Sequence, residues 1–287
     1  MKDFFLALSN PSLPFLRNAL YAGILSSILF GVVGAVVTVK RIAGLAGSIS
    51  HAVLGGIGLA LFLSAHRIVP GIQPLVGALV FAVASALIIG FVSTKAQQRV
   101  DTAINAIWAI GMSLGVLFLA KTPGYTDLMS YLFGNILFIS TENLILLSIL
   151  DGVILLLAYR FYPQLEASAF DEEFAKVRGV PTEGLFLAIL ILTAVAVVLL
   201  QTFVGLVMVI AMLTLPAGTA SYLARNLASL MLWGVVFSFL FSLGGLALSW
   251  TYDLPTGAVV VVLAGTVYVG AAASRWGLKR CAIKYGP

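Results

Sequence analysis

The sequence predicts an all-α membrane protein that crosses the bilayer many times. Of its 287 residues, 61% are hydrophobic and only 9% are charged, whereas about 25% of the residues in a soluble domain are charged. Apolar runs of about 20 residues, the length that spans a bilayer as a helix, recur from residue 17 to residue 274. These observations exclude a soluble or disordered chain, and they predict one transmembrane domain over residues 1–287.

Nine apolar segments follow one another along this domain, and about eight or nine of them are expected to be transmembrane helices. The segment 204–223 is expected to be broken or re-entrant, because Pro216, Gly218 and Thr219 interrupt it. The stretch DLMSYLFGNILF, residues 127–138, is too short to span and is expected to be re-entrant or interfacial. The nine segments lie near residues 17–39, 44–65, 72–94, 103–120, 142–160, 184–200, 204–223, 228–250 and 256–274.

The loop charges predict the orientation. One alternate set of connections carries twelve Lys or Arg residues and the other set carries four, so the first set and the C-terminus are expected in the cytoplasm. The net charge of +5 therefore comes from residues beside the membrane, and no dense basic patch indicates a nucleic-acid partner.

The longest cytoplasmic connection, FYPQLEASAFDEEFAKVRGVPTE, spans residues 161–183. Phe170, Phe174 and Val177 recur at helical spacing, which predicts one short amphipathic helix. Its start is acidic and its end carries helix breakers: Asp171, Glu172 and Glu173, then Gly179 and Pro181. The apolar face either rests on the bilayer or inserts into a groove of a soluble partner, and the pattern alone does not choose.

A histidine lies among small residues in the second span, GLAGSISHAVLGGIGLALFL, residues 44–63. Around His51 the helical neighbours include Gly47, Ser48, Gly55 and Gly58, so another helix or a cavity can approach closely. An ionisable residue inside a membrane indicates function, and neutral imidazole is a common ligand of transition metals. The alternative is a histidine that hydrogen-bonds across a tight helix contact. The other histidine, His66, is expected at the surface of an outside connection.

An isolated carboxylate lies midway along the span LLSILDGVILLLAY. Asp151 is costly there unless it is paired, because a charge at the bilayer centre is unfavourable by at least about 2.5 kcal/mol. It either serves the path of a cation or forms a structural partner for a polar group on a neighbouring helix.

Four ordered stretches carry a family resemblance. FDEEFAKVRGVP, residues 170–181, resembles the cytoplasmic coupling segment of the ABC-type importer permeases for zinc, manganese and iron, the ABC-3 family. VVTVKRIAGLAGSISHAVLGGIG resembles the second-helix signature of that family, and DLMSYLFGNILFIS its mid-chain motif. GLVMVIAMLTLPAGTASYLA together with DLPTGAVVVVLAG resembles its C-terminal half. The resemblance covers roughly residues 15–275.

The resemblance implies a permease of the type II ABC importer kind in a bacterial inner membrane, and not an enzyme. The implied partners are two copies of a cytoplasmic ATPase, an extracytoplasmic metal-binding protein, membrane lipid, and a second permease copy that is identical or a close paralogue. The chain itself has no G-x-x-x-x-G-K-[ST] phosphate loop. The coupling segment, about residues 162–182, would meet the ATPase through Phe170, Asp171, Glu172, Glu173, Phe174, Ala175 and Gly179.

The resemblance also implies a transport path. The path would include His51 as a metal ligand, with Gly47, Ser48, Ser50 and Gly55 beside it. The family motif usually has an Asp four residues before this His, where this chain has Gly47; Asp151 is the candidate carboxylate on physical grounds. No permanently bound cofactor is expected, and zinc is the first choice of cargo before manganese or iron.

Two alternatives stay open at this point. One is a permease for an iron chelate or cobalamin. The other is an ion-coupled secondary transporter, which would need carboxylates inside the membrane for coupling.

Overall fold

The computed structural model describes Phe4, Leu8 and residues 13–95, 100–123 and 139–285. Every element that it describes there is a helix, and eight of the helices are long and apolar enough to cross a membrane. The helices are α1 Pro14–Val39, α2 Ala43–Ala65, α3 Pro74–Lys95, α4 Val100–Lys121, α5 Thr141–Arg160, α6 Tyr162–Phe170, α7 Glu172–Val177, α8 Thr182–Val204, α9 Leu206–Ala220, α10 Leu227–Tyr252 and α11 Thr256–Tyr285. The eight that are long and apolar enough to span are α1–α5, α8, α10 and α11.

The predicted all-α membrane fold is confirmed, and the segment 204–223 is the one apolar segment that is not a spanning helix. Its helix α9 has 15 residues and is about 22 Å long, shorter than the bilayer core of about 30 Å. The expected interruption at Pro216 is wrong, because α9 continues through it. The break lies before α9, at Gly205 with φ +83°, a conformation that glycine adopts without strain. The stretch 127–138 lies outside the described residues.

Two compact units are distinguished within the chain. The first unit comprises residues 1–38, 135–151 and 211–287. Within it, α1 and α10 pack closely, since a Cβ on Gly31 would overlap the backbone of Val235 and one on Gly23 would lie 3.6 Å from the Cβ of Ser242. The paired residue numbers run in opposite directions, so these two helices are antiparallel.

The second unit comprises residues 39–134 and 152–210, and it contains α2, α3, α4, the coupling segment and α8. Helix α2 packs against α3, α4 and α8. Glycines allow this close approach: Gly56 lies against Gly77 of α3, and Gly58 lies against Gly115 of α4. The second unit is the one that positions His51.

Candidate functional site

His51 lies on α2 about 12 Å from the start of the helix at Ala43. The residue is half-buried, and its Nδ1 atom is inaccessible to solvent without a hydrogen-bond partner in the described part of the chain. Its ring meets Trp108 of α4 edge to face, with 5.3 Å between ring centroids and 60° between ring planes. At Nδ1, therefore, His51 makes no hydrogen bond across the helix contact with any described residue, so the alternative role is not supported there.

The glycine-rich face around His51 divides into an open end and a packed end. Within the described part of the chain, a Cβ on Gly44 or Gly47 would meet no atom within 4 Å, and these two residues share one helical face with His51. On the packed side, a Cβ on Gly55 would lie 2.7 Å from the carbonyl oxygen of Gly111 of α4. At Gly55 the neighbour that approaches this face is therefore another helix, α4, and a part for Gly55 in a transport path stays a prediction.

The two serines beside His51 have backbone partners. Ser48 is 3% exposed and donates from Oγ to the carbonyl oxygen of Ile104 on α4 at 2.8 Å. Ser50 is fully buried and donates to the carbonyl oxygen of Ala46 at 2.9 Å. Each hydroxyl oxygen keeps lone pairs that can still accept, so a part for both serines in a transport path stays a prediction.

Asp151 lies midway along α5 as the sequence predicts, and it belongs to the first unit. It is 4% exposed, and neither carboxylate oxygen has a hydrogen-bond partner among the described residues. Within those residues no three His, Cys, Asp or Glu side chains are grouped so that they could enclose a metal ion. The described structure therefore offers isolated ionisable groups inside spanning helices, and not a closed metal cage.

The coupling segment consists of two helices, α6 and α7, and not of the single helix predicted. Asp171 separates them with an extended backbone, φ −149° and ψ 104°, and its carboxylate accepts a hydrogen bond from the backbone N–H of Phe174 at 2.9 Å. Aspartate favours this N-cap position, because it satisfies an N–H group that has no partner within the helix. Phe170 therefore ends α6, and it does not continue the helical face of Phe174 and Val177.

The coupling segment nevertheless presents apolar side chains outward. Phe170, Phe174 and Val177 are 71%, 52% and 87% exposed, while Ala175 is fully buried. The predicted end of α7 is confirmed, since the helix stops at Val177 and Gly179 adopts φ +83°.

Two ion pairs hold α7, and sequence reasoning missed both. Lys40 Nζ lies 3.2 Å from Glu172 Oε2, and Lys176 Nζ lies 3.6 Å from Glu183 Oε1. No sequence signal indicates the first pair, because its residues are separated by 132 positions. Trp108 was missed for the same reason, since its contact with His51 joins two different helices.

The ABC 3 transport family model matches residues 12–275, nearly the whole chain. The chain belongs to the ABC 3 transport family. Its ABC 3 relatives include a "Probable metal transport system membrane protein" of Chlamydia muridarum, 35% identical over 89% of this chain and 87% of the relative. They also include the manganese transport system membrane protein MntC of Listeria monocytogenes, 31% identical over 88% of each chain. Among solved structures, PsaBC from Streptococcus pneumoniae in complex with Fab has a TM-score of 0.81 and 29% identity, covering 94% of both chains.

The open face of α2 lies within the part of the chain that the ABC 3 transport family model matches. His51 and Gly47 lie in the stretch that resembles the second-helix signature of the family, and the space beyond Gly47 is free of described atoms within 4 Å of an added Cβ. Gly47 provides no carboxylate one helical turn before His51, where the family resemblance leads us to expect an aspartate.

Proposed function

We propose that this chain is the permease subunit of an ATP-driven importer for a divalent transition-metal ion. The observation that carries the proposal is His51, an intramembrane imidazole whose buried Nδ1 atom has no hydrogen-bond partner among the described residues, in a chain of the ABC 3 transport family. A metal-binding group inside a membrane span is costly and indicates function.

Manganese becomes the first choice of cargo, before iron and zinc. The Listeria monocytogenes and Halalkalibacterium halodurans relatives are manganese transport system membrane proteins. In this proposal neutral imidazole supplies nitrogen, and hydroxyl and water oxygens, which suit manganese, complete the coordination of the passing ion. Zinc stays an expectation from the sequence.

A path with few ligands suits transport. Conduction requires binding that is weak enough to release the ion, whereas a closed site with four protein ligands is typical of a structural metal. In this proposal His51 contacts the ion briefly on the open face of α2, and Asp151 provides a separate carboxylate on the path. The metal is cargo, and no resident cofactor takes part.

The proposed assembly contains two permease copies, identical or closely related, two cytoplasmic ATPase subunits and an extracytoplasmic metal-binding protein. The permease lies in a bacterial inner membrane, surrounded by lipid, with its C-terminus in the cytoplasm according to the loop charges. The exposed residues Phe170, Phe174 and Val177 dock onto the ATPase in the helix-in-groove manner.

The test compares the two histidines of the chain. Metal uptake is measured in cells that produce the permease with its ATPase and binding protein. His51→Ala should lower manganese uptake by about tenfold, the lower end of the losses that follow changes around metal ligands. His66→Ala is the matched control, because His66 is exposed and its Nδ1 atom lies 3.0 Å from the carbonyl oxygen of Phe62. Equal uptake by wild type and His51→Ala, at equal amounts in the membrane, would remove His51 from the path.

A second candidate function is ion-coupled secondary transport. The carboxylate of Asp151 inside α5, which has no hydrogen-bond partner among the described residues, favours it, since such transporters use intramembrane carboxylates for coupling. Reconstitution of the permease alone distinguishes the two functions. Metal accumulation driven by an ion gradient, without the ATPase, supports the second function, and accumulation only with ATPase and ATP supports the first.

A further inference from the structure

A largely buried lysine contacts the coupling segment. The Lys40 side chain is only 8% exposed, and its Nζ atom lies 3.2 Å from Oε2 of Glu172, the first residue of α7. The Glu172 side chain is 57% exposed. An ion pair between two exposed side chains contributes little, because both side chains move freely in water. Here burial restricts the positions of the Lys40 ammonium group, so this pair defines a specific point of contact.

Lys40 also lies close in sequence to the helix that carries His51. Only Arg41 and Ile42 separate it from Ala43, the first residue of α2. Arg41 adopts the left-handed conformation with φ +57°, and the carbonyl oxygen of Ile42 accepts hydrogen bonds from the N–H groups of Leu45 and Ala46. The connection is therefore short and ordered, and a displacement of Lys40 reaches α2 through two residues.

The other end of α7 has a different attachment. Lys176 pairs at 3.6 Å with Glu183 at the start of α8, and both side chains are exposed, at 68% and 61%. This second pair joins α7 to the helix that follows it along the chain, which the backbone already does. The first pair joins α7 to Lys40, in the connection between α1 and α2, which lies 132 positions away along the chain.

We propose that the Lys40–Glu172 ion pair transmits movement of the coupling segment to α2, so that ATP hydrolysis is coupled to metal passage at His51. This inference rests on the proposed function. Lys40 and Glu172 are positioning residues, which contact neither the metal nor the nucleotide. Loss of the pair uncouples hydrolysis from transport. ATPase binding is assessed with the Lys40 variants, because the family resemblance implies that Glu172 also meets the ATPase.

The experiment uses charge reversal in the complete complex of permease, ATPase and binding protein. The variants are Lys40→Glu, Glu172→Lys and the double exchange of both residues. Three quantities are measured: manganese uptake, ATP hydrolysis by the complex, and co-purification of the ATPase. Each single reversal places like charges together and leaves a buried charge without its partner. We expect each to lower the number of manganese ions moved per ATP by about tenfold, within the range of coupling between sites.

The double exchange is decisive, because it restores opposite charges with the positions reversed. It should recover uptake to within about threefold of wild type, as expected for two residues that act through each other. A purely structural loss would lower uptake and ATP hydrolysis together, whereas uncoupling in the Lys40 variants lowers uptake and leaves ATP hydrolysis and co-purification of the ATPase unchanged. Lys40→Gln and Glu172→Gln remove the charges without repulsion, and they give the same readout if a reversed variant does not reach the membrane.

The exposed pair supplies the matched control. Lys176→Glu, Glu183→Lys and their double exchange should change the number of ions moved per ATP by less than about twofold. The proposal would be overturned if every Lys40 and Glu172 variant moved as many manganese ions per ATP as wild type. It would also be overturned if the double exchange showed no more manganese uptake than either single reversal. Failure of the proposed function looks different, because wild-type complex would then show no ATP-dependent manganese uptake.

Discussion

The two ends of the glycine face on α2 respond differently to added side-chain volume. A Cβ on Gly58 would lie 2.7 Å from the carbonyl oxygen of Gly115 and 3.1 Å from its Cα. Both neighbours are backbone atoms, which have no rotamer to change, so Gly58→Ala must separate α2 from α4 by about 0.7 Å to reach ordinary contact at 3.4 Å. A Cβ on Gly47 meets no described atom within 4 Å, so Gly47→Ala requires no movement of the described residues.

The expected magnitudes follow from this geometry. Forcing extra volume into a packed contact costs about 1–3 kcal/mol, which corresponds to a loss of about 2–5 °C in melting temperature for a chain of this size. Gly47→Ala should leave the melting temperature unchanged or raise it by about 2 °C, because alanine favours a helix over glycine by up to about 1 kcal/mol. Gly47→Leu should retain stability and lower metal uptake, since its side chain fills the open face beside His51.

The assay combines thermal unfolding of the detergent-purified permease with metal uptake by cells that contain the complete importer. An unchanged melting temperature for Gly58→Ala would refute the close approach of α2 and α4. A melting temperature for Gly47→Leu as low as that of Gly58→Ala would refute the open face. Wild-type uptake by a stable Gly47→Leu variant would exclude that face from the metal path.

Three further substitutions test the site. Gly47→Asp places a carboxylate one helical turn before His51. The purified permease should then bind more manganese at equilibrium than wild type, and equal binding would contradict the shared helical face of these two residues. Trp108→Ala removes the ring that contacts His51 and should lower manganese uptake about threefold, because an aromatic contact contributes about 0.7 kcal/mol. Trp108→Phe keeps an aromatic ring and should retain most of the manganese uptake. Asp151→Asn replaces a carboxylate that has no hydrogen-bond partner among the described residues with a neutral amide of the same size. The melting temperature should therefore rise while manganese uptake falls, and unchanged uptake would exclude Asp151 from the path.

Local properties of the chain predicted the membrane helices. A span needs only length and apolar composition, because a helix satisfies its own backbone hydrogen bonds within the bilayer. The first spanning segment, expected near 17–39, is observed at Pro14–Val39. The sequence does not indicate the break at Gly205. Pro216 is the stronger signal for a helix break, and yet it lies inside α9. The division of the coupling segment at Asp171 also depends on residues that are neighbours along the chain, since Asp171 caps α7. The spacing of the apolar residues, however, predicts one continuous helix.

The sequence by itself determined the membrane class, the spanning segments and the position of an imidazole and a carboxylate within them, because each of these depends on residues that are neighbours along the chain. The tertiary structure alone decided that Gly55 packs against α4 while no described atom lies near Gly47, that Trp108 contacts His51, and that Lys40 pairs with Glu172. The physical reason is that these contacts join residues on different helices, and the apolar pattern of a membrane helix does not specify which neighbour covers which face.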